Sequence, residues 1–76
     1  MCQLSAKLSD EVNIQLNGEE RRVKADNLLG LIAELGLSER TIAIERNLEV
    51  VPRSQYASTL LCEGDRIEVV HMIGGG

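Results

Sequence analysis

The sequence contains no tryptophan, no phenylalanine and a single tyrosine, so its core has to be built from aliphatic side chains. The shortage of aromatic residues argues against a surface that stacks on nucleic-acid bases. Twelve acidic residues against eight basic ones give a net charge of −4, which is the wrong sign for binding a nucleic-acid phosphate backbone. We therefore expect no nucleic-acid partner. The charge suits a basic protein partner, or serves only to keep a small domain in solution.

Cysteines and long hydrophobic runs are also scarce. Cys2 and Cys62 form no Cys-x-x-Cys pair and cannot hold zinc or an iron–sulfur cluster by themselves. A disulfide framework in so small a secreted domain usually needs four or more cysteines. We predict two reduced thiols and no metal site. The apolar runs are too short to cross a membrane, and residues 1–10 lack the apolar stretch of a signal peptide, so we expect a soluble, cytoplasmic protein without a membrane partner.

The first half of the chain predicts a hairpin and then a helix. Apolar and polar residues alternate over "VNIQL", and Asn17-Gly18 is typical of a two-residue hairpin turn. Asp26 or Asn27 would cap a helix of about ten residues that Gly36 ends. One apolar stripe would face the sheet: Leu28, Leu31, Ile32 and Leu35.

The second half predicts further strands. "TIAIER" reads as a third strand, "EVV" as a short fourth strand ended by Pro52, and "RIEVV" as a last strand after a Gly64-Asp65 turn. This order predicts an α+β domain with a mixed sheet of four to five strands and one main helix packed across one face. The first and last strands would pair in parallel at the centre, as in the β-grasp arrangement. We expect an irregular extension over 1–10, the β-grasp domain over 11–73 and a flexible glycine tail over 74–76.

Three segments resemble the ubiquitin-like sulfur carriers of the ThiS type: "IAIERN", "EVVPRSQY" and "GDRIEVVHMIGGG". The resemblance covers roughly residues 11–76 and departs from the family pattern in residues 1–10 and in a third glycine, Gly74. The family resemblance implies that an E1-like adenylyltransferase of the ThiF type uses ATP to activate the Gly76 carboxylate. A sulfur donor such as a cysteine desulfurase persulfide then yields a thiocarboxylate, which passes its sulfur to a thiazole synthase of the ThiG type.

On this interpretation Gly74, Gly75 and Gly76 enter the partners' active sites, because glycine lets a backbone approach walls closely. No side chain of the carrier is catalytic, and the carrier itself binds no cofactor. Alternatively, terminal glycines can be a disordered end of the chain without a function. His71 is more plausibly structural than a general base, since an ionised carboxylate needs no base. No phosphate-loop motif is present, which favours a co-substrate over an ATPase.

Strand alternation predicts that Val70 and Met72 point to solvent, with Ile73 at the root of the tail. These three residues would bind partners. The alternative is a small packing cluster beneath the connector that contains Tyr56. Rim contacts by Arg46, Arg53 and Arg66 are less favoured than plain solvation.

Three other functions stay open at this point. The molybdopterin-synthase small subunit shares the fold and the tail. In that family, however, a proline-containing segment precedes the tail, and "VHMIGGG" has no proline. A ubiquitin-like protein modifier would form isopeptide bonds through the same carboxylate. A plain β-grasp interaction module would make no use of the tail.

Overall fold

A computed structural model describes residues 11–72; residues 1–10 and 73–76 lie outside the described part. The predicted extension, Ile73 and the glycine tail therefore stay predictions. Over residues 11–72 the only α-helix is α1 (Leu28–Glu34), and it is too short to span a membrane. The strands are β1 (Val12–Leu16), β2 (Glu19–Val23), β3 (Ile42–Arg46), β4 (Glu49–Val51) and β5 (Arg66–His71).

The five strands form one sheet in the order β2-β1-β5-β3-β4. The predicted parallel pair is confirmed, because β1 and β5 run side by side in parallel while the other neighbours are antiparallel. The helix and two short 3₁₀ turns, Glu39–Thr41 and Arg53–Gln55, lie in the connections. The mixed sheet with one helix is the predicted α+β architecture.

Two tight turns fix the hairpin registers. Asn17 and Gly18 have φ values of 52° and 86°, the left-handed pair that the predicted two-residue hairpin needs. The β3–β4 turn repeats this geometry with Asn47 at 53° and Leu48 at 74°. A leucine in this region costs about 1–2 kcal/mol, so the second turn carries strain that a glycine would avoid.

The helix begins and ends on side chains that the sequence indicated. Asn27, rather than Asp26, is the cap: its Oδ1 accepts a hydrogen bond of 2.7 Å from the Gly30 amide. Gly36, at φ 74°, follows the last helical turn in the left-handed conformation. The helix has seven residues, fewer than predicted, because Leu35 already serves as its C-cap.

The core lies between α1 and the inner face of the sheet. Its fully enclosed members are aliphatic, as the composition required: Ile14, Val23, Leu28, Leu31, Ile42, Ile44 and Ile67. Ile67 and Val69 point inward, as alternation along β5 requires when Val70 points to solvent. The prediction of a reduced thiol is wrong for Cys62, which is disulfide-bonded and buried. The chain has one other cysteine, Cys2, outside the described residues.

Two leucines of α1 provide a matched test of the packing. Leu31 is fully buried, whereas Leu29 is 40% exposed. Leu31→Ala should lower the free energy of unfolding by about 2–5 kcal/mol, because it leaves a cavity against the sheet. Leu29→Ala should cost less than about 1 kcal/mol. Urea unfolding monitored by circular dichroism measures both, and equal losses would contradict the placement of this helix.

Candidate functional site

Strand β5 leads the chain to its glycine tail from the centre of the sheet. It is hydrogen-bonded to β1 on one side and to β3 on the other. Its pairing with β3 runs as far as His71, opposite Ile42, and the Met72 amide still donates to the Thr41 carbonyl at 2.8 Å. The backbone is therefore anchored up to the residue that precedes Ile73.

A buried carboxylate anchors the start of β5. Asp65 is 6% exposed, and its Oδ2 accepts hydrogen bonds from Arg46 Nε at 2.9 Å and the Cys62 amide at 2.8 Å. Its Oδ1 accepts one from Asn47 Nδ2 at 3.1 Å. Arg46 therefore stabilises the fold, and the idea that it makes a rim contact is not supported by its position. Hydrogen bonds within the fold therefore account for Asp65.

The two asparagines with left-handed backbones also hold β5. Asn17 Oδ1 accepts a hydrogen bond from the Val69 amide at 2.8 Å, just beyond the end of β1. Asn47 Oδ1 accepts one from the Arg66 amide at 3.0 Å. Each side chain takes the place of a backbone acceptor that the neighbouring strand does not supply. These contacts explain asparagine at both turns beyond its tolerance of the left-handed conformation.

The side of the sheet away from α1, here called the outer face, carries exposed apolar residues close to the tail. Val70 and Met72 are 57% and 52% exposed, so they point to solvent as predicted. Tyr56 is only 2% exposed and packs in the main core, so the alternative of a separate cluster with Val70 and Met72 does not fit. Their role in partner binding stays a prediction.

Register places three further residues on the outer face that sequence reasoning missed. Ala43 lies directly opposite Val70, and Glu45 lies between Val50 on β4 and Glu68 on β5. Val50 is 68% exposed. The signal was available in "EVV", where Val50 and Val51 must face opposite sides. Knowing which side is exposed required the pairing with β3.

Other polar groups carry no evident chemistry. Glu63 accepts hydrogen bonds from the side chain and the amide of Asn13, which lower the pKa of this exposed carboxyl. Both residues line an open depression of about 260 Å³ beside β1. His71 is exposed at the end of β5. Among residues 11–72, no three His, Cys, Asp or Glu side chains are grouped so that they could hold a metal ion.

Comparison with known proteins decides the family. The family model named "ThiS family" matches residues 14–76, which includes the last strand and the tail. The chain belongs to the ThiS family. Residues that carried the resemblance, from "IAIERN" to the final glycines, all lie inside this match.

Proteins similar to this ThiS-family chain include a sulfur carrier and a thiazole synthase. The sulfur carrier protein ThiS of Bacillus subtilis is 37% identical, and the match covers 83% of this chain and 98% of that protein. A thiazole synthase of Paramagnetospirillum magneticum is 46% identical over 86% of this chain. That match covers 20% of the synthase, so the chain spans about a fifth of this relative's length.

A solved structure supports the fold. The crystal structure of the thiamine biosynthesis protein ThiS from Geobacter metallireducens superimposes with a TM-score of 0.73 at 29% identity. The superposition covers 86% of this chain and all of the other. The expected ubiquitin-like β-grasp fold is confirmed.

The anchor at Asp65 can be tested against an exposed acid. Asp65→Ala should lower the free energy of unfolding by about 3 kcal/mol, because it leaves the guanidinium of Arg46 without its carboxylate. Glu19→Ala, at an exposed position on β2, should change it by less than about 0.5 kcal/mol. Chemical unfolding measures both, and a wild-type midpoint for Asp65→Ala would show that the network does not hold β5.

Proposed function

We propose that this protein is a sulfur carrier of thiamin biosynthesis whose Gly76 carboxylate becomes a thiocarboxylate. The observation that carries the proposal is the family match, which runs through the terminal glycines. The match to the full length of the Bacillus subtilis sulfur carrier supports the same function. The match to ThiS favours thiazole formation over the molybdopterin-synthase alternative.

The first step activates a poor acyl donor. An α-carboxyl group is ionised at neutral pH because its ordinary pKa is about 3.3–3.7. In the proposed step a carboxylate oxygen of Gly76 attacks the α-phosphorus of ATP in a ThiF-type adenylyltransferase, and pyrophosphate leaves. The resulting acyl-adenylate has AMP as a good leaving group. The carrier acts here as a co-substrate, and the partner enzyme supplies the ATP site.

The second step installs sulfur. The terminal sulfur of a donor persulfide, such as that of a cysteine desulfurase, attacks the acyl carbon and expels AMP. The acyl disulfide formed in this way is cleaved by two electrons and a proton from a thiol reductant, which leaves the thiocarboxylate on Gly76 and a thiol on the donor. The thiocarboxylate then gives its sulfur to thiazole synthase. We propose that these steps take place in the cytoplasm, where the ATP-dependent partner acts.

The described residues support the role of a presented tail. Pairing of β5 continues to Met72, so the domain is rigid up to the point where residues 73–76 begin. We propose that Gly74, Gly75 and Gly76 thread into the partners' active sites, since they lack a Cβ that would clash with a narrow channel. Val70, Met72 and Ile73 would contact the partner around its entrance.

Thiazole synthase is the partner with the best support. Thiazole synthases of Paramagnetospirillum magneticum and Magnetococcus marinus each contain a segment similar to this chain, at 46% and 47% identity. In such a protein a carrier-like domain and the rest of the synthase are held together, which raises their effective concentration. A separate carrier would have to bind the enzyme through its own surface.

Intact mass spectrometry tests the function directly. The full chain, incubated with ATP, a ThiF-type adenylyltransferase and a persulfide donor, should gain the mass difference between one sulfur and one oxygen. A variant that lacks Gly74, Gly75 and Gly76 should stay unmodified while keeping the wild-type circular dichroism spectrum. His71→Asn should be converted like the wild type, because the ionised carboxylate needs no base.

Two results would contradict the proposal. An unchanged mass of the wild-type chain with an active cognate adenylyltransferase would show that Gly76 is not the acceptor. Products linked to lysines of other proteins would indicate a ubiquitin-like modifier instead.

A further inference from the structure

Two carboxylates face each other on the outer face. Glu45 on β3 and Glu68 on β5 are direct cross-strand partners, and Val50 on β4 lies beside Glu45 in the same row. The next row toward the tail pairs Ala43 with Val70. The two acids are therefore bordered by apolar side chains between β4 and the root of the tail.

Like charges placed directly opposite in a sheet are destabilising. Glu68 is relieved only by an exposed contact with Arg66, whose Nη2 lies 3.7 Å from its Oε2. Glu45 has no ion-pair or side-chain hydrogen-bond partner among residues 11–72, although it is only partly exposed. The buried Asp65, by contrast, accepts hydrogen bonds from Arg46, Asn47 and the Cys62 amide. Within the described part of the chain, the fold thus leaves Glu45 without a partner beside Glu68, whose only partner there is the exposed Arg66, and apolar side chains border the two acids on the sides of β4 and of Val70.

We infer that Glu45 and Glu68 are specificity determinants for thiazole synthase, which binds the outer face with a basic side chain placed between the two carboxylates. The inference rests on the proposed function and adds the chemistry that selects the partner. An arginine fits best, because its planar guanidinium can donate to both carboxylates while its faces contact the neighbouring aliphatic side chains.

The cost of desolvation excludes a purely apolar partner surface. A partner that covers Val50 and Val70 must also remove water from the acids between them, and an unpaired buried carboxylate is strongly unfavourable. A cation between the carboxylates interacts favourably with both, and Arg66 already lies beside Glu68. The pair of acids therefore favours one surface and penalises others, which is how interfaces achieve specificity.

The position of the pair relative to the tail supports this occupant. Val70 and Met72 connect the acidic pair with residues 73–76, so an enzyme that takes in the tail will also cover these carboxylates. The net charge of −4 adds a general attraction to a basic enzyme surface. Two thiazole synthases contain a segment similar to this chain, which supports thiazole synthase as the partner.

Binding to purified thiazole synthase from the same organism tests the inference. Dissociation constants are measured by isothermal titration calorimetry at low and high salt for the wild type, Glu45→Gln and Glu68→Gln. Each substitution should weaken binding at low salt by about tenfold or more and reduce its salt dependence. The melting temperature of both variants should equal or exceed that of the wild type, because the repulsion is relieved.

Glu20→Gln is the matched control. Glu20 is an exposed acid opposite Gln15 on the outer side of β2, separated from β5 by β1. This substitution removes one negative charge from the same side of the sheet without altering Glu45 or Glu68. It should bind thiazole synthase as tightly as the wild type, apart from a small uniform effect of net charge.

Three outcomes would overturn the inference. Both glutamine variants could bind thiazole synthase like the wild type, Glu20→Gln could lose as much affinity as they do, or the wild type could fail to bind. Loss of affinity for the ThiF-type adenylyltransferase alone would show that the other enzyme is the selected partner. Normal formation of the thiocarboxylate on Gly76 in the same variants keeps these failures separate from a failure of the proposed function.

Discussion

The hydrogen bonds that hold β5 between β1 and β3 are the interaction on which the rest of the structure depends. A carboxyl terminus usually frays, yet here the last strand lies at the centre of the sheet. Asp65 fixes its start, Asn17 and Asn47 complete its backbone bonding, and the pairing with β3 continues to Met72. The backbone is thereby anchored as far as Met72.

The domain therefore separates its tasks by location. The inner face of the sheet and α1 supply stability through a small aliphatic core. The outer face does not contribute to this core, so it can carry exposed valines and an unfavourable pair of acids. A small domain tolerates such features only where they serve something other than folding, because its stability is marginal. The partner recognition proposed for the outer face would give these residues a common function.

Most of the fold follows from local patterns. Alternation over "VNIQL", the Asn17-Gly18 turn and the stripe of α1 each depend on residues close in sequence, and all three were predicted correctly. The parallel pairing of β1 and β5 also followed, because a hairpin and a helix between them leave enough chain for one crossover. The redox state of Cys62 did not follow, since spacing in the sequence does not show which thiols meet.

The sequence by itself determined the resemblance to the family and the apolar stripes of β1 and α1, because each of these rests on periodicity or on a contiguous motif. Only the tertiary structure decided that Arg46 belongs to Asp65 and that Glu45 stands against Glu68. Arg46 and Glu45 on β3 meet Asp65, just before β5, and Glu68 on β5, so the pairing of β3 with β5, and not the local pattern, selects these neighbours. The composition of the outer face was therefore set by strand register.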